Sequence, residues 1–268
     1  MPAAGRALPV HQVWGHGSTT IFLLHGMYGA KEYWRPQAER LVALGYRVVA
    51  WDAPGYGASA LPPDLSLNSL ADDAARLIKA TGTQTNVAMG QSMGGQLVFR
   101  VFARIPEFIS AAVICATIGY FGNKTPQERA QFVREREEAA KITDPSLRKA
   151  LVDQMLAPGA HGPDVDLVRE ITATTPAATT AAAVAAVQHA DESESIAAIK
   201  GVSVPALIIA GALDNVGSPP AMKRVADMMP NARFVAIGGS GHYPWAENPI
   251  EFNEHLMPFL GRTVPVEA

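Results

Sequence analysis

Asn86-Val87-Ala88-Met89-Gly90-Gln91-Ser92-Met93-Gly94-Gly95 is the stretch that decides how this chain folds. Asn86 to Met89 is an apolar run of strand character, and Gln96 to Arg104 carries a helical pattern. Between them a strand must turn sharply into a helix. Gly90 and Gly94 have a steric reason there, because strand and helix nearly touch and leave no room for a side chain. Such a turn pushes one side chain, that of Ser92, out of the backbone into open space. G-x-S-x-G at a strand-to-helix junction is the spacing of a nucleophile elbow, and it asks for an acid and then a histidine further along the chain.

The elements around this turn alternate. Thr20 to Leu24 is a fully apolar strand ending in His25-Gly26, and Tyr46 to Trp51 is another ending at Asp52. Lys31 to Leu44 has helical periodicity and stops at Gly45. Ser66 to Ala80 reads as a helix closed by Gly82, with Leu67, Leu70, Ala74 and Leu77 on one stripe. Ile109 to Ala116 is a further apolar strand. Continuous apolar strands separated by helices mean a parallel sheet covered on both faces.

From Gly122 to about Ala190 the strands stop. Thr125-Pro126-Gln127-Glu128 opens a charged helix: Thr125 caps, Pro126 suits the first turn, and Glu128 completes a capping box. Asp144-Pro145 opens a second helix, to about Leu156. Two more are expected over 164–173 and 177–189, the latter rich in Ala and Thr. Alternation resumes at Val204 with strands Pro205 to Gly211 and Ala232 to Ile237, and helices Pro219 to Met229 and Pro249 to Leu260. The expected organisation is an α/β core over 1–119 and 196–268, interrupted by an all-helical insertion over 120–195.

Composition narrows the class. The chain has 268 residues, 48% hydrophobic and 18% charged, which fits one large domain with an insertion. A formal net charge of -3, with no cluster of Lys and Arg, gives no reason to expect nucleic acid or a membrane surface as partner. The single cysteine, Cys115, lies in an apolar run and reads as a buried structural thiol. No apolar run reaches 18 residues. The expected setting is the cytoplasm, and the sequence leaves homo-oligomers open. His11, His16, His161, His189 and His255 show no metal-ligand spacing, so neither metal nor cofactor is expected.

Three polar residues sit just beyond strand ends. Ser92 follows the Asn86 strand, Asp214 follows the Leu207 strand, and His242 follows the Phe234 strand. In a parallel sheet these positions share the carboxyl edge, where ligands bind. A serine hydroxyl is a poor nucleophile at neutral pH. His242 can accept its proton and pass it to a leaving group, while Asp214 holds the imidazole in the useful tautomer. The oxyanion that forms needs donors. The backbone N–H of Met93, directly after the serine, is one, and the second is expected from His25-Gly26-Met27-Tyr28-Gly29, with Met27 the choice. Asp191, Glu192 and Glu194 read as a polar connection and not as the acid. His25, Gly26 and Trp245 are pocket candidates, though His25 reads first as shaping the oxyanion loop. Trp34, Tyr120 and Phe121 either line the pocket or pack. Asp52 with its glycine loop reads as a structural turn, because the P-loop Lys-Ser/Thr ending is missing. The run Arg134-Glu135-Arg136-Glu137-Glu138 reads as a solvated helix face.

Four stretches together resemble the α/β-hydrolase fold with a helical cap. His25-Gly26 resembles its oxyanion strand-loop, and Asp52-Ala53-Pro54-Gly55-Tyr56-Gly57-Ala58-Ser59 its D-x-P-G-x-G-x-S loop. Gly90 to Gly95 matches the elbow, and Gly241-His242 with Glu247-Asn248-Pro249 the C-terminal histidine loop. The resemblance implies an eight-stranded type of sheet and a serine hydrolase working through an acyl-enzyme. A carboxylic ester of a small or medium apolar molecule is the first expectation. Lactones, thioesters, ring-cleavage dienes and cofactor-free perhydrolysis remain open on the same triad, as does a receptor that keeps it. Dehalogenases and epoxide hydrolases of this fold use an aspartate at the nucleophile position, where this chain has Ser92. The Ala/Thr segment Thr172 to Ala186 is expected to leave room for a bulky group if Ala182 and Ala186 face the cleft.

Overall fold

The computed structural model describes residues 7–117 and 125–265. Tyr120, Phe121 and the start of the helical insertion lie outside the described residues. Seven strands form one sheet: β1 (His11–Trp14), β2 (Thr19–Leu24), β3 (Arg47–Trp51), β4 (Thr85–Gln91), β5 (Ala111–Cys115), β6 (Ala206–Gly211) and β7 (Ala232–Ile237). Their order is β1-β3-β2-β4-β5-β6-β7, parallel throughout except for β1, which runs antiparallel on β3. The described sheet therefore has seven strands where an eight-stranded type was expected, and β1 is an addition that its sequence does not announce.

The chain leaves β2 toward β3 on one side and returns to place β4 on the other. Crossover loops diverge at that point and open a crevice at the carboxyl ends of β2 and β4, the switch point of such sheets. His25 and Ser92 stand at those two ends.

Two apolar layers cover the sheet because its strand residues alternate in direction. Phe22, Leu24, Val49 and Trp51 pack with Leu70, Leu77, Leu97 and Met222 on one side. Ile21, Leu23, Val48 and Ala50 pack with Ala38, Leu41, Phe252 and Leu256 on the other. The first layer takes helices α2 (Leu67–Thr81) and α3 (Met93–Arg104), the second α1 (Arg35–Ala43). The helix expected over 31–44 is split, with a 3-10 turn over Lys31–Trp34 leading into α1, whose first turn holds Pro36.

The insertion contains α4 (Pro126–Ala140), α5 (Pro145–Asp153), α6 (Pro163–Thr174) and α7 (Ala177–Gln188). Thr125 and Glu128 form the expected capping box, and Asp144 caps α5 through Ser146 and Leu147. The polar stretch after α7 is a helix, α8 (Glu192–Gly201), and not a connection: Asp191 caps it by accepting from the Glu194 N–H. This helix docks on α3, where Arg100 donates to Ser195 Oγ at 2.7 Å. The chain closes with α9 (Pro219–Asp227), α10 (Pro244–Glu247) and α11 (Pro249–Thr263).

Candidate active site

Ser92 stands between β4 and α3 with φ 53° and ψ -117°, a conformation that a residue with a side chain rarely adopts. Such strain costs on the order of 1–3 kcal/mol and persists only where the surroundings enforce it. Here they do. The Ser92 N–H donates to Cys115 O at 3.0 Å, and Thr117 Oγ1 donates to Ser92 O at 2.6 Å. The glycines behave as the sequence requires. A Cβ on Gly90 would stand 2.2 Å from Gly94 O, and one on Gly94 would stand 2.0 Å from Leu24 O. Ser92 is also the N-cap of α3, so the Met93 N–H begins the helix without an intrahelical acceptor, at the positive end of its dipole.

Asp214 and His242 meet. His242 Nδ1 is 2.9 Å from Asp214 Oδ2, and both side chains are almost wholly buried. The other carboxylate oxygen accepts from the N–H groups of Val216 and Gly217, at 2.7 and 3.0 Å. Asp214 is thus held on both oxygens. With Nδ1 committed to it, Nε2 is the ring nitrogen left for the cavity that His242 lines.

That cavity measures about 940 Å3 and is lined on its core side by Met27, Tyr28, Ser92, Met93, His242 and Tyr243. Its other wall comes from α4, α5 and α7, including Phe132, Arg136, Leu151, Val184 and Val187. Two expectations change here. Of the run placed by sequence on a solvated face, Arg134, Glu135, Arg136 and Glu138 line the cavity. A broad face of α4 meets the cavity, and the i, i+4 series Glu128, Phe132 and Arg136 runs along it. From α7 the lining residues are Val184, Val187 and Gln188, not Ala182 or Ala186. Ala186 is buried and Ala182 half-buried, both off the cavity lining.

The loop after β2 is built around a neutral histidine. His25 Nδ1 donates to Gly26 O at 2.8 Å, and its Nε2 accepts from the Ala53 N–H at 3.0 Å. The ring is fully buried, and burial pulls its pKa from 6.5 down to about 4. A neutral ring is what one donated and one accepted bond demand. Gly26 O also accepts from the Gly29 N–H at 3.1 Å. Because the peptide is planar and trans, fixing the Gly26 carbonyl fixes the Met27 N–H in the opposite direction. The Gly26 N–H is tied down as well, donating to Tyr33 Oη at 2.8 Å. His25 and Gly26 therefore stand behind the cavity wall, where they shape the loop, and are not lining residues. Asp52 is buried and structural: it accepts from the Lys31 N–H, from Lys31 Nζ at 2.7 Å and from the Ala58 N–H.

Trp245 is 1% exposed and does not reach the cavity. It packs in an aromatic cluster, 4.6 Å from the Trp34 ring, 5.2 Å from Tyr33 and 5.4 Å from Tyr243, centroid to centroid. Trp34 is buried in the same cluster. Cys115 is buried, and burial raises its thiol pKa far above the ordinary value, which keeps it protonated and inert.

Three supports went unread in the sequence. Gln91, beside the serine, donates to His242 O at 3.1 Å and so ties the elbow to the histidine loop. Thr117 clamps the Ser92 carbonyl. Glu247 accepts from the N–H groups of Gly241, Tyr243 and Ala157 at 2.9, 2.9 and 2.7 Å. The helical insertion is thereby stapled to the histidine loop, since the His242 N–H also donates to Met155 O at 2.8 Å. Among the described residues no group of three or more His, Cys, Asp or Glu could hold a metal, and no helix is long and apolar enough to cross a membrane.

The chain belongs to the alpha/beta hydrolase fold family, whose model matches residues 19–249. Among curated relatives it is 28% identical over 258 residues to a Mycobacterium tuberculosis protein assigned provisionally as the non-heme bromoperoxidase BpoC, covering 92% of this chain and 95% of that one. It is 24% identical over 254 residues to the pimeloyl-[acyl-carrier protein] methyl ester esterase of Pectobacterium atrosepticum, covering 92% of this chain and 96% of the relative. Of solved structures, a thermophilic esterase from Thermogutta terrifontis superposes with a TM-score of 0.82 at 23% identity, over 95% of this chain and 93% of that one, a likeness of fold.

Proposed function

We propose that this protein hydrolyses carboxylic esters through an acyl-enzyme on Ser92. One observation carries the reading: Asp214 fixes His242 through Nδ1, while Ser92 lines the same cavity as His242. His242 Nε2 takes the proton as Ser92 Oγ attacks the acyl carbon. The tetrahedral oxyanion rests on the N–H groups of Met27 and Met93, each worth roughly 3 kcal/mol in the transition state. As the ester C–O bond breaks, His242 returns the proton to the departing alkoxide, which leaves as an alcohol. Water then attacks the acyl-serine, gives its proton to His242, and the carboxylic acid departs with Ser92 restored. Asp214 stabilises the imidazolium in both halves and is not itself protonated.

A relative that bears the name of a methyl ester esterase supports the choice of an ester over the other acyl bonds. The apolar lining of Phe132, Leu151, Val184 and Val187 supports a small or medium substrate of apolar character near the scissile bond. The test is hydrolysis of p-nitrophenyl butyrate by wild type and Ser92→Ala. Loss of at least about 10⁴-fold in kcat, with unchanged circular dichroism, is expected. Retained turnover in the variant would remove Ser92 from the mechanism. A panel of aryl esters, lactones and ring-cleavage dienes separates the acyl bonds.

A further inference from the structure

Resting on that reading of Ser92, we infer that the ester carries a carboxylate remote from its scissile bond and that Arg136, on the cavity wall opposite the serine loop, receives it.

Arg136 is half-buried on α4 and lines the cavity with Ser92 and His242. Its guanidinium carbon lies 3.6 Å from the centre of the Phe132 ring, one turn earlier. Stacking on a ring fixes the guanidinium plane and leaves its N–H edge for a planar acceptor. Among the described residues Arg136 makes no hydrogen bond or ion pair.

The neighbouring charges are engaged. Glu128 accepts from the Thr125 N–H at 2.6 Å, Glu135 from Gln131 Nε2 at 2.7 Å, and Glu138 from Lys141 Nζ at 2.6 Å. Arg134 donates to Gln131 Oε1 at 2.8 Å. Of the α4 charges that line the cavity, Glu128, Glu135 and Glu138 each already accept a hydrogen bond, and Arg136 has no acceptor among the described residues. Burial of Arg136 acts against its charge, and an arginine does not escape by losing its proton. A half-buried guanidinium of this kind is stabilised by an anion supplied from outside.

A second donor faces the same space. Tyr28 lines the cavity, and its hydroxyl has no hydrogen-bond partner among the described residues. Burial raises its pKa, and the positive charges of Arg136 and Arg148 oppose that. A fork and a hydroxyl suit a carboxylate, which accepts at several lone pairs. Tyr28 directly follows Met27, so one end of this pair is built on the loop that serves the oxyanion. The ester end of the substrate lies over Ser92, and its charged end reaches α4.

The experiment compares methyl hydrogen glutarate with dimethyl glutarate, equal in length and different in one charge. Wild type should prefer the half-ester about 10-fold or more in kcat/KM, chiefly through KM. Arg136→Gln should cut that preference about 10- to 100-fold, the worth of a charge-assisted pair. Arg136→Lys, with charge and no fork, should restore part of it. Lys149→Gln, which removes a positive charge from an exposed site on α5, should leave the preference as in wild type. Equal preference in wild type and Arg136→Gln would overturn the inference. If neither ester is turned over, the esterase reading falls, and calorimetric titration with glutarate decides the anion site alone: binding lost in Arg136→Gln supports it, and equal or absent binding overturns it.

Discussion

Glu247 brackets His242: its carboxylate holds the N–H of Gly241 at 2.9 Å and that of Tyr243 at 2.9 Å, the residues on either side of the imidazole. The backbone that carries the histidine cannot turn without breaking charge-assisted bonds. A third bond, to the Ala157 N–H, extends the same control to the helical insertion. Position of the His242 imidazole and position of the helical insertion are therefore one structural variable.

Glu247→Gln tests this. An amide can replace only one acceptor oxygen, and its NH2 then faces a backbone donor. Stability should fall by about 1–3 kcal/mol. On the proposed mechanism kcat should fall about 10- to 100-fold and KM should rise, because His242 and the insertion that walls the cavity shift together. Urea unfolding and steady-state kinetics on an aryl ester provide the check.

His25 gives a pH dependence of stability. Its folded pKa is about 4 against 6.5 when unfolded, with burial the main cause. Below pH 6.5 the unfolded imidazole takes a proton that the folded one refuses. The contribution is complete above pH 6.5 and is lost as pH falls toward 4, to a total of about 3 kcal/mol. Urea unfolding of wild type and His25→Asn at pH 7.5 and 5 should show a steeper loss in wild type. Parallel losses would mean that His25 titrates normally in the fold.

The strain at Ser92 predicts a role for Thr117. Thr117→Val removes the hydroxyl that holds the Ser92 carbonyl at 2.6 Å. Stability should fall by about 1 kcal/mol, and ester turnover about 10-fold as the elbow loses its fixed geometry. By contrast Gly94→Ala places a Cβ 2.0 Å from Leu24 O, between packed backbones, and should cost about 3 kcal/mol or leave the protein unfolded. Thermal melts separate the two.

Trp245 belongs to the core and not to the pocket. Trp245→Ala should therefore cost about 3–5 kcal/mol of stability, read in urea, and leave the acyl-length preference as in wild type. A changed preference with unchanged stability would return Trp245 to the cavity wall.

These residues also show what the sequence makes legible. The elbow was readable because sterics at Gly90 and Gly94 allow few residue types, and the two contacts near 2 Å explain why. Asp214 and His242 were readable because strand ends of a parallel sheet converge on one edge. Trp245 was misread because nearness in sequence to His242 says nothing about direction: the chain turns into α10 and buries the ring. The α8 helix was hidden by its polar start, although Asp191 with Glu194 three residues on is itself a helix-start signal. β1 is four residues without clean alternation, held by pairing to β3, and pairing is a tertiary fact. Arg136 looked solvated because charge dominated the reading of α4. Its i, i+4 relation to Phe132 was the clue to a cavity-facing stripe. The third carboxylate contact of Glu247, to Ala157, depends on where the insertion lands and leaves no local trace.

The central claim is that Ser92 becomes covalently acylated with His242 as its base. Intact-protein and peptide mass spectrometry after treatment with a fluorophosphonate measures this most directly. The account predicts one phosphonyl group per chain, on Ser92, formed much more slowly in His242→Ala and absent in Ser92→Ala. Labelling that persists in Ser92→Ala, or a wild-type protein that stays unlabelled, would contradict it.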